Sequence, residues 1–412
     1  MTSPSILISG ASIAGPALAY WLRRYGMNPV IVERASELRP GGQTVDLRGA
    51  GKEVIYRMGL QQQVLARTTH EEGIHFVDAA GRPRATLRAD DFGGEGLIAA
   101  VEILRGELAS MLYEHTRHET EYLFDNRVES LREEGDKVRV RFLKGAERSF
   151  DLVIAADGTR SKTRDLVFGS DTEIRFLGGY AAYFTIPRRD ADDGWARMFN
   201  LPGRRGVLLR PDNVGTTRAL LTYFSDSPNE DRLEPRVQKD KLQRLFAGAG
   251  WETPRVLAEM ERSTDFYLQG INQVRMPRWS RGRVAVVGDA AYAPSGVTGM
   301  GTTLAIVGAY VLAGELARHR GDHRAAFASY EAVMRPYVTQ TQQLPPGIPK
   351  IANPKTQLGI QVGHTVLRYA TQPLVTRILG RVLRPPAEAV RLPDYSSLEQ
   401  RPFTPEGASA GA

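Results

Sequence analysis

The sequence contains no cysteine. That excludes disulfides, thiolate metal ligands, a cysteine nucleophile and any redox pair built on a disulfide. Histidine is scarce as well: the seven histidines show no H-x-x-x-H or comparable spacing, so no metal site is expected. Long apolar runs are missing. The longest, TTLAIVGAYVLAGEL, falls short of the roughly 20 residues that a helix needs to span a bilayer. The N-terminus has no basic start followed by an apolar core, as a signal peptide would, so the expected location is the cytoplasm, without membrane association. Although the net charge is +7, no dense basic run occurs, and nucleic acid is not an expected partner. A mildly basic surface suits anionic small molecules equally well. No internal repeat is present.

What the chain does have is length and patterned glycine. Its 412 residues and 42% hydrophobic content point to two packed units, or one large fold with insertions. Residues 5–9 read as a buried parallel strand. PALAYWLRRYG then has helical spacing and stops at Gly26, and PVIVER reads as a second strand. Together they make a strand-turn-helix-strand unit of Rossmann size. A flexible glycine-rich stretch, GGQTVDLRGAG, leads to a helix around 50–67. Residues 73–88 read as a hairpin, EILRGELASMLYEHT as a helix, and 126–154 as strands. Residues 172–275 are strand-rich with one helix near 236–248, RVAVVGDAA returns to a buried strand, and helices run to about 335. Residues 355–384 place Ile360, Val362, Val366, Leu367, Leu374, Ile378 and Leu379 at helical intervals, which suggests a helix bridging two domains. The extreme C-terminus reads as frayed.

Three motifs carry potential chemistry. The first turn reads G-A-S-I-A-G, with Ser12 where the dinucleotide fingerprint has its second glycine. Gly10 permits the tight turn, and Gly15 lets the helix approach the strand. The helix N-terminus offers its free N–H groups to a pyrophosphate. Glu33 ends the second strand 18 residues after Gly15, where an acid can accept ribose hydroxyls. The plain alternative is a structural turn with a solvated glutamate. The second motif, DGTRSKTR, begins at Asp157 after an apolar strand; an Asp-Gly pair there commonly just makes a turn. The third, GDAAYAPSGVTGMGTTLAI, runs from Gly288 to Ile306 and joins a strand-end carboxylate to a glycine-rich loop and a helix.

Taken together and in this order, the three motifs resemble the flavin-dependent aromatic hydroxylases, single-component FAD monooxygenases of the p-hydroxybenzoate hydroxylase fold. The GGQTVDLRGAG stretch makes the chain especially similar to the tetracycline-inactivating and polyketide-tailoring monooxygenases. The resemblance covers most of residues 5–335. It implies an α/β fold: a Rossmann-like FAD-binding domain (1–72, 98–170 and 276–335), a strand-rich substrate domain (73–97 and 171–275), and a C-terminal helix and tail (336–412). It also implies that Gly10, Ser12, Ala14 and Gly15 face the FAD pyrophosphate, Glu33 the adenosine ribose and Arg34 the adenine. By the same likeness Arg105 reaches the FAD chain, Asp157 contacts FAD and the nicotinamide nucleotide, and Asp289 holds the ribityl chain. Pro294 to Thr302, including Gly299 and Gly301, would flank the isoalloxazine, with Asp46 as a further flavin contact and Arg39 as a nicotinamide-nucleotide contact.

Three positions depart from the family pattern: Tyr292 stands for its histidine, Thr303 for its asparagine and Gly308 for its later aspartate. The implied chemistry is reduction of FAD by NADPH or NADH, formation of a C4a-hydroperoxide with O2, and hydroxylation of an aromatic or polyketide-like substrate. No protein acid–base residue is strictly required for the oxygen transfer, and no catalytic side chain is singled out. In the strand-rich middle, Tyr183, Met198, Phe199, Tyr223 and Phe224 are candidates for stacking on a planar substrate; the alternative is that they fill the core behind the sheet. A same-fold reductase or oxidase, or a non-catalytic binder of planar ligands, is the competing reading. A monomer or homodimer is expected.

Overall fold

The computed structural model describes residues 3–38, 41–89, 101–190, 192–344, 350, 353–370 and 390–400. Its first sheet has six strands in the order Ser280–Arg281, Val284–Val286, Leu152–Ala155, Ser5–Ser9, Asn28–Val32 and Glu121–Leu123. All neighbours are parallel except the first pair. The central strands are continuous apolar runs because helices cover one face and a three-stranded meander the other. On the helical face Leu18, Leu22, Leu304 and Val311 belong to one core. On the other, Leu7 and Val153 pack against Val138 and Val140 of the meander. The helix Ala14–Arg24 buries Ala17, Leu18, Trp21 and Leu22 against the long helix Gly301–Arg318, whose apolar surface extends all round.

A second sheet has seven strands, in the order Tyr267–Arg275, Glu173–Pro187, Thr216–Phe224, Arg205–Pro211, Trp195–Leu201, Gly73–Val77 and Pro83–Arg88. One face is covered by helices Pro235–Phe246 and Thr253–Arg262 through Leu242, Phe246, Val256 and Met260. The second of these helices is not among the sequence expectations, although its pattern is amphipathic. Its apolar positions form one stripe between charged residues, and Pro254 sits in its first turn, where the missing N–H costs little.

Three expectations are corrected. Residues Glu102–Leu104 are not the first turn of a helix but a strand paired with Thr44–Asp46, and the helix is Arg105–Glu114. The stretch GGQTVDLRGAG is therefore ordered structure rather than a flexible loop, from Thr44 into the helix Gly49–Arg57. The helices continue past 335 to Gln342. The C-terminal helix is described over Gln357–Ala370; Leu374, Ile378 and Leu379 lie outside the described residues. Within that range it packs on the seven-stranded sheet. Residues 390–400 return to the other unit: Tyr395 is fully buried beside Gly314 and donates to Glu315 at 2.6 Å, and Gln400 N–H donates to Arg24 O at 2.9 Å. No helix among the described residues is long and apolar enough to cross a membrane.

Candidate active site

One cavity of about 1640 Å³ lies between the two sheets. Ordinary small-molecule pockets measure about 300–1,000 Å³, so this one has room for a dinucleotide and a second molecule. Its inner end is built from backbone. Gly10 has φ +113°, and a Cβ there would lie 2.6 Å from Ala156 O. At Gly15 a Cβ would lie 1.9 Å from Gly10 O, so no side chain is possible without moving the turn. The helix that follows has no side-chain cap, and its first N–H groups face the cavity edge formed by Gly10, Ser12, Ile13 and Ala14. The helix Gly301–Arg318 likewise has no side-chain cap, and Gly301 and Thr302 line the same cavity. Two uncapped helix N-termini on one cavity favour a polyanion there.

Side chains complete this end. Glu33 accepts from Ala11 N–H at 2.9 Å and Ala35 N–H at 3.0 Å. Its carboxylate is thus held rigidly at the cavity wall beside Arg34, with lone pairs to spare. Arg105 Nη1 donates to Ser12 Oγ at 3.1 Å. The serine therefore has a job that a glycine could not do: it anchors the arginine across the turn. Asp289 is exposed to the cavity it lines; desolvation there raises its pKa, and Arg105 opposes the rise. Asp157 is also raised by burial, against hydrogen bonds from Ser161 and from Thr163 N–H. It lines the cavity while tying down the start of helix Lys162–Phe168. Arg164, 1% exposed, carries no signal of its role in the sequence; its Nη1 donates to Thr159 O and Ala290 O at 3.0 Å and so joins the second motif to the third.

The middle of the cavity is formed by the loop at 294–302 and the segment at 46–48. Pro294 and Gly299 line it, and a Cβ on Gly299 would meet Asp46 Oδ2 at 2.8 Å. Asp46 accepts from Arg48 Nε and Nη2 at 3.0 and 2.8 Å. Arg48 is 1% exposed, lines the cavity, and keeps one donor, Nη1, without a partner. Burying such a donor costs about 1–3 kcal/mol unless something accepts from it. The uncapped helices, the close-approach glycines and this orphaned donor all fit a bound FAD.

The family departures are explained here. A Cβ on Gly308 would lie 1.9 Å from Tyr292 Oη, so the tyrosine ring occupies the volume that a side chain at 308 would need. Tyr292 and Gly308 are one change, not two. The tyrosine hydroxyl accepts from Tyr330 Oη at 3.0 Å in a fully buried, uncharged pair. Thr303 Oγ1 accepts from Arg48 N–H at 3.2 Å and holds the 46–48 segment on the long helix.

The outer end is formed by alternate residues of the seven-stranded sheet. Period-2 alternation sends Ala181 and Tyr183, Leu208 and Arg210, and Leu220 and Thr222 toward the cavity. The intervening Tyr180, Ala182, Phe184, Val207, Leu209, Leu221 and Tyr223 face the helices behind. Of the five aromatic and methionine candidates, only Tyr183 lines the cavity; its ring stacks on Tyr267 at 5.0 Å. Tyr223 pairs in register with Tyr180, stacks on it at 5.2 Å and donates to Glu230, so it belongs to the core. Phe199 is core beside Trp251. Met198 and Phe224 are half-buried and do not line the cavity; Phe224 lies under the Arg204 guanidinium. Arg39 lies outside the described residues. Ile360, Val362, Val366 and Leu367 of the C-terminal helix close the cavity's outer end.

Comparison with known proteins agrees with this geometry. A family profile described as FAD binding domain matches residues 4–344. A flavin-dependent monooxygenase from an unknown prokaryotic organism is 38% identical over 405 residues, 95% of this chain and 98% of that protein. An FAD-dependent monooxygenase of Sarocladium schorii is 34% identical over 420 residues, 96% and 98% of the two chains. The crystal structure of tetracycline destructase Tet(55) superposes with a TM-score of 0.80 at 36% identity, covering 96% of this chain and 99% of that one. With a cavity whose glycines, helix ends and orphaned arginine suit FAD, the chain belongs to the FAD binding domain family and is a single-component, flavin-dependent monooxygenase acting on small molecules.

Proposed function

We propose that the substrate is a planar aromatic or polyketide-like molecule carrying an acidic hydroxyl, with NADPH or NADH as reductant and O2 as oxygen donor. The observation that carries this reading is the shared cavity. The loop at 294–302 and the Tyr183 face of the seven-stranded sheet are opposite walls of one space, and Tyr183 Oη lies 3.9 Å from where a Gly296 Cβ would sit. Bound FAD supplies the redox and oxygen chemistry. The chain's own part is to bind, orient and exclude water. Gly10, Ser12, Ala14, Glu33, Arg34, Arg105, Asp157 and Asp289 hold the dinucleotide. Residues 46–48 and 294–302 set the flavin ring, with Asp46 keeping Arg48 in place.

Tyr183 provides the flat surface on which a planar ring stacks, and the C-terminal helix shields the outer opening. In this division residues 1–72, 98–170 and 276–335 serve the cofactor, and 73–97 and 171–275 the substrate. Likeness to a tetracycline destructase supports the polyketide-like class, since tetracycline is a fused-ring polyketide. The test is an NADPH and NADH oxidation screen across phenols, anthraquinones and tetracyclines, with mass spectrometry of the products. Substrate-stimulated oxidation and a product heavier by one oxygen atom are expected. Turnover that continues without O2 would instead establish a reductase.

A further inference from the structure

Beside the segment at 46–48 lies a charge cluster whose Glu71, Glu102 and Arg210 neither cofactor binding nor ring stacking puts to use. Glu102 lies on the strand paired with Thr44–Asp46, directly opposite Asp46 in register. Its side chain is 3% exposed and lines the cavity. Arg210 reaches it from the seven-stranded sheet: Nη2 lies 2.6 Å from Oε1 and 2.8 Å from Oε2. The same guanidinium is also engaged by Glu71, in the segment before Gly73–Val77, through Nε at 2.8 Å and Nη2 at 2.9 Å. Its Nη1 donates to Thr44 at 2.7 Å. Thr69 Oγ1 donates to Glu102 at 3.3 Å. Asp46 is taken by Arg48. Three carboxyl groups, Glu71, Glu102 and Asp46, thus share two guanidiniums in a buried region.

Separated buried charge is costly, so a cluster with one surplus carboxylate relieves the excess by holding a proton. The geometry indicates where. Glu71 takes two different nitrogens of Arg210 in a fork, whereas both oxygens of Glu102 crowd the single nitrogen that Glu71 already shares. Burial accordingly pushes the Glu102 carboxyl up to about 7, with Glu71 and Asp46 adding to the rise and Arg210 opposing it.

We propose that Glu102 is the group that exchanges a proton with an acidic hydroxyl of the bound small molecule, an assignment that rests on the substrate class proposed for this site. The substrate O–H bond breaks, a new O–H bond forms on the Glu102 carboxylate, and the electron pair stays on the substrate oxygen. No electron moves between molecules in this step. The resulting phenolate or enolate is the more electron-rich partner for oxygen transfer. A carboxyl poised near neutral pH is suited to giving and taking a proton with little bias.

Two measurements on the FAD-loaded protein decide it. Infrared titration of the wild type shows a carboxylic acid C=O band that fades as pH rises through neutrality. The band is absent in Glu102→Gln, fades at lower pH in Glu71→Gln, which removes the surplus charge, and is displaced but present in Glu102→Asp. A band that survives in Glu102→Gln places the proton elsewhere and overturns the assignment. In NAD(P)H oxidation, Glu102→Gln lowers kcat/KM by about 100-fold for a phenol that is un-ionised at the assay pH. It changes little for 4-nitrophenol in mildly alkaline buffer, which is already ionised, and Glu102→Asp recovers part of the loss. Equal losses for both phenols overturn the exchange role and leave a structural one. If no hydroxylated compound stimulates oxidation, the substrate reading falls and the exchange role with it, while the infrared band still reports where the proton sits.

Discussion

The inner and outer halves of the cavity are made by different means. At the inner end the surface is backbone: Gly10, Gly15 and two uncapped helix ends leave no space for a side chain and present N–H groups directly. At the outer end the surface is side chain, projected from alternate positions of a sheet whose other face is a hydrophobic core. A backbone surface admits one ligand shape and tolerates almost no substitution. A surface of alternating side chains can be re-cut residue by residue without disturbing the core behind it. The contrast gives a physical reason for a constant cofactor and a variable substrate within one fold.

The comparison can be tested in order of expected effect. Gly15→Ala strikes the inner end hardest. Its Cβ would lie 1.9 Å from Gly10 O, so FAD titration followed by flavin fluorescence should show no binding. Ser12→Leu should do the same, because it removes the Arg105 anchor and fills the turn, while Ser12→Gly should retain FAD with weaker hold on Arg105. Normal FAD binding by Ser12→Leu would remove position 12 from the pyrophosphate site.

Behind the outer wall, Phe199→Ala should lower stability by about 3–5 kcal/mol in denaturant unfolding and leave KM for a turned-over substrate unchanged. Tyr183→Ala should do the reverse, raising KM by about tenfold, the equivalent of ~1.4 kcal/mol, with FAD binding intact. Similar stability losses in both would dissolve the distinction between the two faces of the sheet.

Gly308→Ala forces a methyl group into the Tyr292 hydroxyl and should cost about 1–3 kcal/mol, read as a lower Tm. Tyr292→Phe in the same chain should recover most of it. If it does not, the two departures are independent.

The mildest expected effect is on pH dependence. The Glu102 carboxyl is raised to about 7 in the folded protein, above its ordinary range. Between those values the folded state holds more protons than the unfolded one, so this contribution to stability is present at acid pH and is lost as pH rises through about 7. Tm should therefore decline over that interval in the wild type and decline less in Glu102→Gln.

Much of the inner end is legible in the sequence. A glycine fingerprint, a strand-end acid and an Asp-containing loop are short-range patterns, and each places its residues within a few positions of one another. Gly10, Ala14, Glu33, Arg34, Asp157, Asp289 and Gly301 all line the cavity, and Gly15 packs the helix against the turn as its spacing suggests. Arg105 requires the family resemblance, since an arginine on a helix carries no local signal of its target. At the outer end local pattern fails. YAAYFTI reads as an alternating strand, but alternation alone does not say which parity faces the ligand. Tyr183 and Tyr223 are therefore equivalent by pattern, although one is wall and the other core.

The chain by itself determined the parallel sheet, the cofactor turn and the order of its motifs, because these follow from hydrophobic period, glycine conformation and helix ends within about 10 to 30 residues. Only the tertiary structure decided the face of the second sheet, the union of Tyr292 with Gly308, and the meeting of Glu71, Glu102 and Arg210. The first and the last depend on register between strands and on contacts across more than 100 residues of sequence, and the second on how the loop after Tyr292 folds back onto the long helix. At that range steric fit and shared charge act only after the chain has folded, and no periodicity records them.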